Sequence, residues 1–329
     1  MKKTFHTYIK KYQFHPFERL FDESIRDYIK TEYTEKTATI YAIVETDKIS
    51  FLPETFKPIG NYCIQGTVIS KDKKESVIFN IAKTWYFSES NLSKEFQKKF
   101  KTYENFLEFH MSQYHNPQYP NLSNAEKYRS LTEIDLEKSC EDVLFVKCPI
   151  ASAGKGGRPT YAELHIFQTL NFFDAECIGD LDILYIGKST SNTFDRLKSH
   201  EKWGPIMAKR SEKKNYLVYF FEIDDNLLIE NNFAGLKMRE QASNNIPKDA
   251  IVKLCEASLI NHYKPKFNKD HTETLVEESE IVKKWLKSND YNELFTEVEL
   301  EGLMGRLCTE SQPFNKRHAI QLTIPSHNK

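Results

Sequence analysis

Residues 183–189 read ILYIGKS and residues 255–268 read CEASLINHYKPKFN. The first stretch is apolar, β-prone and closed by glycine, so it predicts a strand over 182–186 that ends at Gly187. The second predicts the close of a helix opened by Pro247, stopped where Lys264 precedes Pro265, since a residue before proline is pushed out of helical backbone. Between them Ser191 or Asn192 can cap a helix running through His200, and YLVYFFEI (216–223) predicts a further strand. On that helix Arg196 and His200 stand four positions apart, which brings both side chains to one face.

Upstream, DVLFVKCPI (142–150) predicts a buried strand and AGKGGRPT (153–160) a flexible basic loop. The loop lacks the P-loop pattern. Leu164, Phe167 and Leu170 at three-residue steps predict a helix over 161–173. Earlier still, helical spacing covers 17–33, β-rich runs cover 37–44, 62–70 and 76–87, and a polar aromatic helix covers 92–110. HNPQYPNLSN (115–124) is turn-rich and marks a boundary. The expected organisation is an N-terminal α+β domain over 1–136, a central domain over 137–270, and an acidic extension over 271–329. That extension is partly helical near 281–286 and loosely ordered from Thr309. The expected fold class is α+β: a small mixed three-stranded sheet flanked by helices, with the YIG strand central, beside the additional N-terminal α+β domain.

The 329 residues are 40% hydrophobic and 28% charged, a soluble globular composition that excludes wholesale disorder. No apolar run approaches the roughly 18 residues of a spanning helix, and the opening MKKTFHTYIKKYQF has no apolar core of an export signal. Neither a membrane partner nor export is therefore expected. Cys63, Cys140, Cys148, Cys177, Cys255 and Cys308 are scattered without a C-x-x-C pair, which reads as reduced thiols in a cytoplasmic protein. The formal net charge is −1, but residues 185–214 carry eight basic against three acidic side chains. Phosphate contact is expected in that region.

Phosphodiester hydrolysis builds up negative charge on phosphorus-bound oxygens and needs a positive clamp, an activated water and relief for the leaving oxygen. Arg196 suits the clamp. Glu256 is a hard carboxylate suited to one Mg²⁺ or Mn²⁺. His200 or a tyrosine hydroxyl can take the proton from water, and Lys188, at a strand end after glycine, can reach a phosphate. Taken singly, each has an ordinary reading: a strand ending in a turn, a solvated helix face, an exposed helix carboxylate, a proline-bounded helix stop.

In this order, the strand YIGKS, the Arg-x-x-x-His pair, and a helix carrying Glu followed by L-I-x-x-Y-x-P-x-x-N resemble the GIY-YIG nuclease superfamily, over about a third of the chain. The tail CEASLINHYKPKFN is similar to the same segment in the nuclease domain of the bacterial excision-repair incision subunit. The Arg/His and Glu/Asn spacings resemble restriction endonucleases of the superfamily. The resemblance implies a magnesium- or manganese-dependent endonuclease acting on nucleic acid, DNA by analogy with most relatives, of restriction, repair or host-defence type. It makes Tyr185 the motif tyrosine, Arg196 the phosphate-binding arginine, His200 the His/Tyr position and Glu256 the metal ligand. Asn268 braces the site, on the substrate side with Lys188.

The family's first strand carries a tyrosine in its GIY triplet about ten residues before YIG, and no such triplet stands there. If residues 143–146 are that strand, Phe145 holds the place without a hydroxyl. The general base is then open among Tyr161, Tyr185, His200 and a metal-bound hydroxide. Two other readings follow: a nucleic-acid binding module without catalysis, and a defence effector gated by a partner. A homo-oligomer fits an enzyme that must cut two strands.

Overall fold

The computed structural model describes residues 3–23, 27, 38–60, 62–84, 86, 94–112, 121–147, 161–188, 203–224, 228–233, 235–241, 248–268, 288 and 291–323. By contact the chain divides into one unit of Met1–Asp47 with Gly179–Lys329 and another of Lys48–Ile178. The first unit is thus assembled from both ends of the chain, with the second inserted between two of its strands. The division falls at neither 136 nor 270, where composition predicts it. A proline- and asparagine-rich run signals a turn, and a turn within a unit looks the same in sequence as a boundary.

With elements numbered along the chain, the first unit is built on β1 (Lys3–Pro16), β2 (Ala38–Asp47), β9 (Leu181–Lys188), β10 (Lys214–Asp224), β13 (Tyr291–Glu299), β14 (Leu307–Cys308) and β15 (Arg317–Thr323). They form one sheet in the order β14-β9-β2-β10-β1-β13-β15. β9, β2, β10 and β1 run antiparallel in succession, while β13 is parallel to β1 and β14 is parallel to β9. Tyr216, Leu217, Val218, Tyr219, Phe220 and Phe221 are buried without a break, as a central strand covered on both faces requires. α6 (Lys248–Tyr263) covers one face, where its Leu259 and Tyr263 meet Ile9, Ile183, Ile186, Phe221 and Val298 around a small apolar cavity. On the other face Ile206 of α5 (Trp203–Ala208) joins Leu20, Tyr41, Ile43, Leu184, Val218 and Phe220 in one core cluster. β11 (Leu228–Phe233) and β12 (Leu236–Gln241) pair as a separate hairpin.

The second unit holds two antiparallel sheets, β3 (Ile49–Ile59) with β4 (Cys63–Ser70) and β5 (Lys73–Asn80), and β6 (Glu133–Ile134) with β7 (Val143–Lys147) and β8 (Tyr161–His165). β4 alternates buried and half-buried residues, the signature of a strand with one face on a core. Its helices are α1 (Lys94–Lys99), α2 (Tyr103–Ser112), α3 (Asn124–Leu131) and α4 (Ile166–Phe172). Phe100, Phe106, Met111 and Tyr128 pack together beneath the first three, and Ser123 with Glu126 forms a complete capping box at the start of α3.

The α+β class holds, but the sheet carrying YIG has seven strands, and β9 is second from its edge. The expected helix over 161–173 begins only at Ile166. Residues Tyr161–His165 form a strand instead because Val143–Lys147 lies alongside to pair with it, and pairing overrides a short helical pattern. The helix expected over 92–110 is two helices; of that expected over 17–33, Phe17–Phe21 is a 3-10 turn, Glu23 and Asp27 are helical, and residues 24–26 and 28–33 lie outside the described residues. The loosely ordered end from Thr309 instead contributes β15, which pairs with β13 and buries His318 and Ile320. The basic glycine loop 153–160 and the helix near 281–286 lie outside the described residues, as does Cys148. No described helix is long and apolar enough to cross a membrane.

Two histidines tie this fold to pH. Burial, helped by Arg19, pushes His15 down to about 4, and burial with His318 alongside pushes His262 down to about 4. The unfolded chain protonates both near their ordinary 6.5, so between pH 6.5 and 4 it binds more protons than the folded one. Their contribution is complete above about 6.5, falls with pH through that window, and levels off below about 4. By pH 5 the loss is about 1–2 kcal/mol per histidine after allowing for partial exposure. Melting curves from pH 7.5 to 5 should therefore flatten in a His15→Gln/His262→Gln protein. An unchanged slope would refute the assignment.

Candidate functional site

The site grows from an irregularity in β9. Along β2, Ile43 pairs with Tyr185 and Val44 with Ile183, leaving Leu184 as an extra residue opposite the step. Such a bulge re-aims side chains by one position. Accordingly Leu184 and Tyr185 both face the cluster that holds Tyr41 and Ile43, whereas Ile183 and Ile186 face α6. Strand alternation then turns Lys188, two residues past Ile186, to the α6 side. There its ammonium contacts Oε2 of Glu256.

α6 is buried from Leu254 to Ile260, and Glu256 is the one carboxylate in that run, 8% exposed. A charged group so enclosed is tolerated when paired, and Lys188 is its partner. The helix ends as its sequence predicts. Lys264 takes the left-handed conformation at φ 49°, donating its N–H to the Ile260 carbonyl at 2.8 Å, and Pro265 bars continuation.

The next three residues dock on β9. Phe267 N–H donates to Leu184 O at 3.1 Å, and the Asn268 carboxamide brackets Ile186, accepting from its N–H at 2.9 Å and donating to its carbonyl at 2.8 Å. The P-x-x-N spacing thus sets a side chain where a further strand would otherwise supply both bonds. Asn268 is 3% exposed, and both ends of its carboxamide are engaged in this bracket, which holds the end of β9 in place. Lys266 adds contacts to Glu45 at 3.2 Å and Asp182 at 3.9 Å, half-exposed and worth little.

The neighbour of YIG is β2, and β7 with Phe145 belongs to the inserted unit between β6 and β8. β2 reads Thr39-Ile40-Tyr41, and Tyr41 pairs directly with Gly187. A Cβ on residue 187 would lie 2.7 Å from the Tyr41 hydroxyl and 2.8 Å from the Tyr185 ring. Glycine is needed there so that the hydroxyl can rest against the strand. Tyr41 is fully buried, and its ring centroid is 6.1 Å from that of half-buried Tyr185. Sequence reasoning missed Tyr41: the signal was Ile-Tyr in an apolar strand, 144 positions before Tyr185. With the 131 residues Lys48–Ile178 set aside, the spacing is 13.

Of the expected site residues, Lys188 and Glu256 meet on the α6 face of β9, Tyr185 stands on its other face with Tyr41, and Asn268 brackets Ile186 between them. Arg196 and His200 lie outside the described residues. Tyr161 stands on β8 of the other unit, with the Lys138 ammonium 4.1 Å over its ring. No group of three or more His, Cys, Asp or Glu side chains gathers among the described residues. A single carboxylate completed by water fits Mg²⁺ or Mn²⁺, which keep several waters, and does not fit a zinc cage. Compared with protein-family models, curated proteins and solved structures, the chain finds no match.

Proposed function

We propose that this chain is a divalent-metal-dependent endonuclease of the GIY-YIG kind that hydrolyses phosphodiester bonds in DNA. The observation that carries the reading is the pairing of Tyr41 with Gly187: a tyrosine strand lies antiparallel against YIG, and the Glu256 helix and Asn268 bracket meet the same strand. The missing first-strand tyrosine is the motive for a binding module without catalysis, and Tyr41 beside Gly187 supports the catalytic reading in its place. The nearly neutral chain grips its substrate through the basic stretch around Lys188, Arg196, Lys198 and Lys202.

In this reading Glu256 holds Mg²⁺ or Mn²⁺, which when bound supplies Lewis-acid stabilisation of the phosphoryl oxygens. Arg196 clamps the phosphate and Lys188 neutralises a phosphate oxygen. The proton of the attacking water goes to the tyrosine pair Tyr41 and Tyr185, whose ring centroids lie 6.1 Å apart, with His200 as the second group suited to proton transfer. Asn268 fixes the strand end on which these groups depend. Lys48–Ile178 supplies target choice or control, as an inserted unit can without disturbing the chemistry.

The test is cleavage of supercoiled plasmid by the wild type, Glu256→Ala and Arg196→Ala with Mg²⁺, Mn²⁺ or EDTA. Nicking that needs metal and falls at least about 10²-fold in each variant is expected. Binding of DNA without any cutting by the wild type would overturn the nuclease and restore the binding module. Cutting that appears only with a partner or after removal of part of the chain would make it a gated effector.

A further inference from the structure

We infer that Lys188 is a resident counter-ion of Glu256 that a divalent metal must displace, so that one ammonium serves first as placeholder and then as phosphate contact. The inference rests on the nuclease reading for the identity of the metal ligand. Its own ground is the direct contact between the Lys188 ammonium and Glu256 Oε2.

Glu256 is 8% exposed and lies in the most enclosed stretch of α6, where an unpaired carboxylate costs several kcal/mol. Among the described residues Lys188 is the cation paired with it. Lysine suits exchange better than arginine does: it makes a point contact without a bidentate fork, on a flexible four-carbon stem. Lys188 is the last residue of β9, and 27% of its side chain is exposed, against 11% for Glu256. The ammonium therefore has a route outward while the carboxylate stays fixed on its helix.

A divalent ion arriving at Oε2 meets a positive charge already in contact, and two cations on one carboxylate oxygen repel. Entry and departure are consequently coupled. The pair keeps the carboxylate compensated when no metal is bound, and it weakens metal affinity by the strength of the contact it breaks. Once displaced, the ammonium is free at the end of β9, where its flexible stem lets it turn to a phosphate. A purely structural ion pair makes the opposite prediction for metal binding, because removing Lys188 would then only loosen the helix that carries the ligand.

The experiment is Mn²⁺ binding to the full chain without nucleic acid, followed by electron paramagnetic resonance of the free ion. The wild type, Lys188→Met, Glu256→Gln and the double variant are compared. Lys188→Met should bind Mn²⁺ at least about tenfold more tightly than the wild type. It should also melt lower in EDTA and gain more from Mn²⁺. Unchanged or weaker binding in Lys188→Met, with binding still lost in Glu256→Gln, overturns the exchange and leaves the nuclease reading standing. Binding that survives Glu256→Gln overturns both, since the metal then sits elsewhere. Should Lys188→Met fail to fold, Lys188→Gln is held to the same criterion.

Discussion

Tyr41→Phe should lower the cleavage rate by about 10²–10⁴-fold, the span lost with a positioned acid–base group, while the protein remains folded. The substitution removes one oxygen and leaves the ring in the cluster of Ile43, Leu184, Val218 and Phe220. Its cost to stability is under about 1 kcal/mol, since the ring and its packing are kept. The hydroxyl is singled out by its surroundings: it lies against Gly187, at the only position of the YIG strand where a Cβ is missing, one residue before Lys188. Tyr185→Phe is the matched control, because the two rings share one cluster and differ in exposure. Single-turnover rates and melting curves of both variants decide the roles. If Tyr41→Phe cuts as fast as the wild type and Tyr185→Phe does not, Tyr41 is a packing residue and the proton goes to Tyr185. If neither slows the reaction, the base is neither tyrosine.

What could be read in the sequence was local. The helix bearing Glu256, its stop at Lys264-Pro265 and the return to Asn268 all lie within the twenty-one residues 248–268, and each follows from backbone preferences that neighbours determine. Tyr41 could not be found that way. The strand containing it was recognisable from its apolar β-branched run, but nothing nearby in the chain says which strand it will pair with, and the intervening Lys48–Ile178 places its partner far downstream. A candidate at residues 143–146 stood at a more familiar distance and was the wrong neighbour, since β7 pairs with β6 and β8. β1 was hidden for another reason. Lys3, Lys10 and Lys11 make the opening look like a polar tail, although Phe5 and Ile9 are core residues and the strand joins β10 to β13. A bulge between Ile9 and Lys11 breaks the alternation that would have revealed it.

The position of the insertion leads to the second large effect: a chain in which residues 48–179 are replaced by Asn-Gly should fold and cut DNA with its selectivity lost. β2 and β9 are antiparallel, with Glu45 opposite Asp182, so continuing the register sets Asp47 opposite Asp180. Those are the flanking positions of a two-residue hairpin, for which Asn-Gly supplies the positive-φ turn that matches strand twist. None of the seven strands of the large sheet is removed, nor is α6, and Tyr41, Tyr185, Lys188, Glu256 and Asn268 are all retained. Shortening the connection lowers the entropy cost of bringing β2 to β9 by at most about 3–4 kcal/mol, on loop-closure scaling, and less where the inserted unit already holds its ends together. The counterweight is the facing pair Asp47 and Asp180, whose like charges cost under about 1 kcal/mol across a strand pair and are eased by Lys214, 2.8 Å from Asp47. A single cooperative melt with metal-dependent nicking that still needs Glu256 would make the insertion a separable specificity or control module. An aggregated or non-cooperative product would mean that the two units fold as one, and that the sheet built from both chain ends depends on the piece between them.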